Sequence, residues 1–229
     1  MRGTGRHSTA GMVAAALAVG VLAGCSSGAE SGAGAATATP AAKKSAAKKS
    51  GVKKSGVKKS EAKAAPKGRS LGGSGTACVM PVSFDLAPDW KPKAITVSGP
   101  DDPLADLTEQ GTVKTVCEID AKPTGYVGFM RVWTGEPGAT PRKTLEAFVA
   151  EERKASKITY SEIKAGALPA VEVRYTTESA LWDEPQQEQA FAVAAPDGVV
   201  IVQLGGLDNQ ESAGMLPGYE LARKTVRAS

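Results

Sequence analysis

The stretch Gln189-Ala190-Phe191-Ala192-Val193-Ala194-Ala195-Pro196-Asp197-Gly198-Val199-Val200-Ile201-Val202-Gln203-Leu204 decides the fold. Two apolar runs flank Pro-Asp-Gly, a turn whose glycine can take the positive φ that a tight reversal needs. This predicts an antiparallel hairpin with strands over residues 189–195 and 199–204. Upstream, Val171, Val173 and Tyr175 alternate with Glu172, Arg174 and Thr176, the period of a half-buried strand. Residues 158–163 read as its neighbour. Residues 112–119 and 126–134 read as a second hairpin turning at Pro123-Thr124-Gly125, the latter run being aromatic and β-branched. Residues 82–86 and 94–97 read as short strands, separated by a turn at Ala87-Pro88-Asp89-Trp90. Two helices complete the series. Thr140 can cap a helix starting at Pro141, with Leu145, Phe148, Val149 and Glu152 at helical spacing. Met215, Tyr219, Ala222 and Val226 mark the inward stripe of a second, with Arg223, Lys224 and Arg227 suited to its C-terminal dipole. Strands, helix, strands, helix specify an α+β fold: a mainly antiparallel β-sheet flanked by α-helices.

The N-terminus has a different character. Arg2 and Arg6 precede the apolar run MVAAALAVGV at residues 12–21, and Leu22-Ala23-Gly24-Cys25 follows. A basic segment, a short apolar segment and small residues before a cleavage point make a signal peptide. The apolar run is shorter than the roughly 20 residues of a membrane span. The last four residues resemble the lipobox of bacterial lipoproteins. That resemblance implies cleavage after residue 24, acylation of Cys25 on its sulfur, and a location on the extracytoplasmic face of the cell membrane.

Residues 25–75 read as a lipidated, disordered tether. They contain the repeat AAKKS, AAKKS, GVKKS, GVKKS at residues 41–60 and no aromatic residue, so they cannot build a core. A coil of about 50 residues reaches roughly 40 Å. Eleven Lys/Arg against Glu30 and Glu61 give residues 26–75 a net charge of +9. Setting aside that +9 and the +2 of the signal segment, the overall +4 leaves residues 76–229 at −7. The basic composition therefore belongs to the tether and the folded part is acidic. Two readings of the lysine repeat stand: contact with anionic lipid or an acidic wall polymer, or a solubilising spacer. Residues 76–229 are expected to form a single domain, long enough for one core.

The cysteines and the one histidine exclude several chemistries. With Cys25 lipidated, Cys78 and Cys117 remain as a pair in an oxidising compartment, where a disulfide persists. It closes a loop of 39 residues, worth about 3–4 kcal/mol in the chain-entropy account. His7 is the only histidine and lies in the signal segment. The mature chain therefore lacks the commonest general base and zinc ligand near neutral pH. No nucleophile-elbow, phosphate-loop or zinc-protease motif is present. Paired carboxylates remain chemically open; Asp183, Glu184 and Glu188 are close in sequence but also fit a solvated strand end. Asp101, Asp102 and Asp106 depart from the calcium-loop spacing and sit in a Gly-Pro-Asp-Asp-Pro turn. No cofactor or metal is expected.

The pattern also resembles a family. The segment Phe84-Asp85-Leu86-Ala87-Pro88-Asp89-Trp90, the turn Gly166-Ala167-Leu168-Pro169-Ala170, and the ending from Asp197-Gly198-Val199-Val200 to Met215-Leu216-Pro217 are similar to actinobacterial LpqN/LpqT-type lipoproteins. The resemblance implies a PsbP-like α/β/α sandwich and an envelope-associated interaction or cargo-binding role. It supplies no catalytic constellation. The function expected is a non-enzymatic binding module of the cell envelope whose ligand is a protein, glycan or lipid, and not nucleic acid. A carboxylate hydrolase of envelope glycans and a passive structural role are the alternatives. Leu181 and Trp182, in the loop Ser179-Ala180-Leu181-Trp182-Asp183-Glu184-Pro185, are the candidate contact residues, with packing onto the core as the competing reading. Trp90 and Trp133 read as core residues.

Overall fold

The computed structural model describes residues 62–99, 101–178 and 184–229. Eleven strands are present among them: β1 (Ser70–Leu71), β2 (Val82–Asp85), β3 (Lys91–Ala94), β4 (Glu109–Gln110), β5 (Val113–Asp120), β6 (Phe129–Gly135), β7 (Ser156–Ala165), β8 (Leu168–Glu178), β9 (Pro185–Ala195), β10 (Gly198–Gly205) and β11 (Arg227–Ala228). Helix α1 (Pro141–Ala150) follows β6 and helix α2 (Asn209–Thr225) follows β10. The main sheet runs β3-β5-β6-β10-β9-β8-β7, with β4 beside β3 on the outer side of β5. Every pairing in it is antiparallel. A small sheet, β1-β2-β11, joins the two ends of the described chain. The fold class expected from the sequence is the one observed.

The central hairpin forms as its residues dictate. Gly198 takes φ +142° at the reversal, and β10 lies in the middle of the sheet, buried on both faces. On one face Phe191, Val193, Val200, Val202 and Leu204 meet Met215, Tyr219 and Ala222 of α2 together with Phe84 of the small sheet. On the opposite face Ala190, Ala192, Val199 and Ile201 meet Leu145, Phe148 and Val149 of α1. The alternation of side chains along β10 thus serves two separate cores. The helices cover opposite faces, giving an α/β/α layering.

Four sequence expectations shift. The domain starts before residue 76: Leu71 is buried, β1 pairs with β2, and the backbone N–H groups of Gly68 and Ala65 donate to Leu86 and Pro217 carbonyls. The physical reason is a single apolar side chain, Leu71, that finds a place in the core under α2. The second short strand lies at Lys91–Ala94, upstream of residues 94–97, because its pairing with Asp120–Cys117 is fixed by Trp90 entering the core just before it. The polar side of β8 is not solvated throughout. Glu172 is 4% exposed beneath α2 and accepts from Arg174 at 3.0 Å, so charge pairing offsets its burial. Helix α1 begins at Pro141 as expected, but the Thr140 hydroxyl makes no cap; its carbonyl accepts from the Thr144 hydroxyl at 2.9 Å.

Helix α2 starts with a reciprocal cap. Asp208 accepts from the Glu211 N–H at 2.8 Å, and the Glu211 carboxylate accepts from the Leu207 and Val127 N–H groups. One side chain therefore fastens the β10–α2 connection to the loop before β6. At the other end of the helix, the β7–β8 turn runs close beneath it. The Gly166 N–H donates to the Arg223 carbonyl at 2.7 Å. A Cβ on Gly166 would stand 1.9 Å from the Val226 carbonyl oxygen, so only glycine fits.

Candidate functional site

The α1-facing side of the sheet is not covered uniformly. Helix α1 packs over the row Val171, Ala192, Ile201 and Trp133. One row along, register places Val173, Ala190, Gln203, Arg131 and Glu118 side by side across β8, β9, β10, β6 and β5. The next row holds Tyr175, Glu188 and Phe129. The apolar character of the face fails along these rows, and a cleft of about 550 Å³ opens over the first of them. Its floor is Thr115, Glu118, Arg131, Trp133 and Gln203; Glu152, just past the end of α1, closes one side. The opposite wall is the connection between β3 and β4, which contributes Ile95, Leu104 and Leu107. Leu104 is 55% exposed and Leu107 74% exposed. Such apolar groups beside convergent polar ones are the composition of a ligand site.

The wall is held by local chemistry. Asp102 accepts from the Ser98 and Leu104 N–H groups, both at 2.9 Å, and these bonds hold its carboxyl below the ordinary range. Asp102 thus builds a turn. Among the described residues no three His, Cys, Asp or Glu side chains come together to hold a metal ion.

Electrostatics differ between the cleft and the groups beside it. Arg131 donates to Glu118 at 3.0 Å and lies over the Phe129 ring at 5.6 Å. Glu152 accepts from the Gln110 amide at 2.8 Å and the Tyr175 hydroxyl at 3.1 Å. Burial, then the charges of Glu152 and Glu188, raise the Tyr175 hydroxyl far above its usual range, so it stays a donor. Burial and the neighbouring Glu152 charge push Glu188 up to about 8, with Arg131 opposing. At neutral pH Glu188 is therefore mostly protonated. The indole N–H of Trp133, buried at 5% exposure, has no acceptor among the described residues.

The residues singled out in the sequence fall in different places. Cys78 and Cys117 form the expected disulfide, both buried, with a Cα–Cα distance of 5.9 Å. It ties the segment before β2 to the middle of β5. Cys25, Leu181, Trp182 and Asp183 lie outside the described residues. Trp90 and Trp133 are core residues as expected, and Trp133 also lines the cleft. Glu184 is exposed, whereas Glu188 lines the depression beside α2 and feels the charge of Glu152. Sequence reasoning missed Glu152, Tyr175, Arg131 and Gln110 as site residues, since each belongs to a different element. Gln203 carried the one readable sign: a polar side chain inside the run Val-Val-Ile-Val-Gln-Leu.

A second depression of about 520 Å³ lies beside α2, lined by Tyr175, Glu188, Arg174, Gln189, Asn209 and Leu216 among others. Asn209 bridges it to β9, accepting from the Gln187 N–H at 2.8 Å and donating to the Pro185 carbonyl at 3.0 Å.

Among solved structures, the chain is similar to the solution structure of cyanobacterial PsbP (CyanoP) from Synechocystis, at 12% identity and a TM-score of 0.44, over 69% of this chain and 97% of that one. None of the curated proteins matches the sequence. A family model described as uncharacterised lipoprotein matches residues 42–226, which is most of the chain, and the protein belongs to that family.

Proposed function

We propose that the protein is a lipid-anchored binding module on the extracytoplasmic face of the cell membrane, and that its head holds a small ligand in the cleft beneath residues 95–108 without transforming it. One observation carries this reading: an otherwise apolar sheet face gives way to Gln203, Arg131, Glu118 and Glu152 under two exposed leucines. A solvated surface does not require those leucines, and a packed core does not tolerate those polar groups. The lipobox ending at Cys25 and membership of a lipoprotein family support the anchor. The resemblance to LpqN/LpqT-type proteins supports an actinobacterial envelope setting and a cargo-binding role. In this setting the lysine-rich tether meets anionic lipid or wall polymer, holding the head at a distance from the bilayer.

Native mass spectrometry of the protein purified from its own membranes tests the cleft. The wild type should carry a co-purifying small molecule that Leu104→Glu and Leu107→Glu both lose while staying folded. An identical mass spectrum for all three would remove the cleft from the function. Cys25→Ala should move the protein out of the membrane fraction; retention there would refute the anchor.

A second reading follows from Glu188, whose carboxyl burial and the nearby Glu152 charge push up to about 8, since a raised carboxyl near a second one is what acid–base catalysis uses. Hydrolysis of envelope glycans abolished by Glu152→Gln and by Glu188→Gln alike would favour it over binding alone.

A further inference from the structure

We propose that the depression beside α2 is a second binding site, independent of the cleft, for a carboxylate standing next to a secondary amide. That is the chemistry of an N-acylated amino acid, with its carboxylate on Arg174 and its amide on Gln189. Register builds the site. Arg174 of β8, Gln189 of β9 and Leu204 of β10 stand side by side across the sheet, and alternation turns all three toward α2, away from the cleft. The helix covers the inner end of this row, where Leu204 is buried. The outer end lies open, with Gln189 half-buried and Arg174 exposed. A depression of about 520 Å³ follows the row, and Ser212 and Leu216 form its helix side.

Charge and hydrogen bonding then select the ligand. Residues 76–229 carry a net −7, yet this lining sets Lys157 and Arg174 against Glu188 alone, and Glu188 is mostly protonated at neutral pH. Arg174 is held in place through one edge. Its Nε donates to Glu172 at 3.0 Å, and Glu172 is almost fully buried while the Arg174 side chain is 46% exposed. The two Nη groups pair with no carboxylate among the described residues. They are the end of the guanidinium fork that takes a carboxylate by two parallel hydrogen bonds. Gln189, directly opposite Arg174, offers a donor and an acceptor in one planar group. Asn209 on the same lining already shows how such a group grips a backbone: it accepts from the Gln187 N–H at 2.8 Å and donates to the Pro185 carbonyl at 3.0 Å. Gln189 can hold the amide of a ligand in the same way, while Leu204 and Leu216 seat its apolar side chain.

Calorimetric titration of the full lipid-anchored protein in a non-ionic detergent tests the site with N-acetyl-leucine, N-acetyl-leucinamide, isocaproate and the peptide acetyl-Ala-Ala-Leu. N-acetyl-leucine should bind about tenfold more tightly than the leucinamide, which lacks the carboxylate, and than isocaproate, which lacks the amide. Arg174→Gln should lower N-acetyl-leucine to the level of the leucinamide. Gln189→Leu, which leaves the Arg174–Glu172 pair intact, should lower it to the level of isocaproate. Leu104→Glu, in the cleft on the other face, should leave all four affinities unchanged. The peptide separates two sources of the same chemistry, and either result supports the site: binding as tight as N-acetyl-leucine points to the free carboxyl end of a longer chain, weaker binding to a free acylated amino acid. Equal affinities for the three small probes, or no binding by any probe, would overturn the assignment. So would binding that Leu104→Glu removes while Arg174→Gln and Gln189→Leu spare it.

Discussion

At the scale of single residues, Glu188 sets the pH response of the molecule. Burial and the Glu152 charge hold it up to about 8 in the folded chain, against about 4.3 in an unfolded one. Between those values the folded protein keeps a proton that the unfolded chain releases. Stability therefore falls as pH rises through that window, and levels off above it. Glu188→Gln abolishes this dependence. Urea melts at pH 5, 6.5 and 8 should show the variant gaining on the wild type with rising pH, by roughly 1–2 kcal/mol at pH 8, a figure reduced from full linkage because the carboxyl keeps some contact with solvent. Parallel profiles would mean that neither burial nor Glu152 raises Glu188. The sequence placed Glu188 among acids at a strand end, and the charge it feels stands just past the end of α1, 36 positions away. Spacing could not reveal that pairing, because it arises only when β9 and the end of α1 are brought over the same face.

At the scale of elements, α2 shows which part of a helix a sequence discloses. Its apolar stripe of Met215, Tyr219 and Ala222 was legible from spacing alone, and all three are fully buried. What spacing did not show is the seat for Trp90. Gly218 has no side chain, and a Cβ there would stand 2.5 Å from the Trp90 ring. The indole thus lies directly on the helix backbone, which explains both the buried Trp and the upstream displacement of β3. Gly218→Ala should cost about 1–3 kcal/mol through overpacking, read as a lower denaturation midpoint. An unchanged midpoint would mean that the ring relocates freely. The helix start offers an independent measurement. Asp208→Ala removes the side chain that accepts from Glu211 and should cost about 1 kcal/mol. The loss should appear first as faster amide exchange at Leu207 and Val127, the two N–H groups that Glu211 restrains.

At the scale of the whole molecule, the long strands and both helices were readable because each obeys one periodicity over many residues. The start of the domain was not. Residues 62–71 carry tether-like composition, and their docking depends on Leu71 and on backbone hydrogen bonds that have no side-chain signature. The disulfide was readable because the cysteines left few alternatives. Cys78→Ser with Cys117→Ser should destabilise the domain by about 4 kcal/mol for a loop of this size, measured by chemical denaturation. A loss below about 1 kcal/mol would show that the unfolded chain is already restrained there. The same bond decides how the head bears tension from its anchor. A pull applied at the N-terminal side can peel β1 away from β2, but at Cys78 the load passes through sulfur into β5 and bypasses everything from residue 79 to residue 116. The bypassed stretch contains the cleft's leucine wall, which stays slack while the rest is stretched. Forced extension of the oxidised protein should fall short of the reduced one by roughly 130 Å, the contour of that skipped segment.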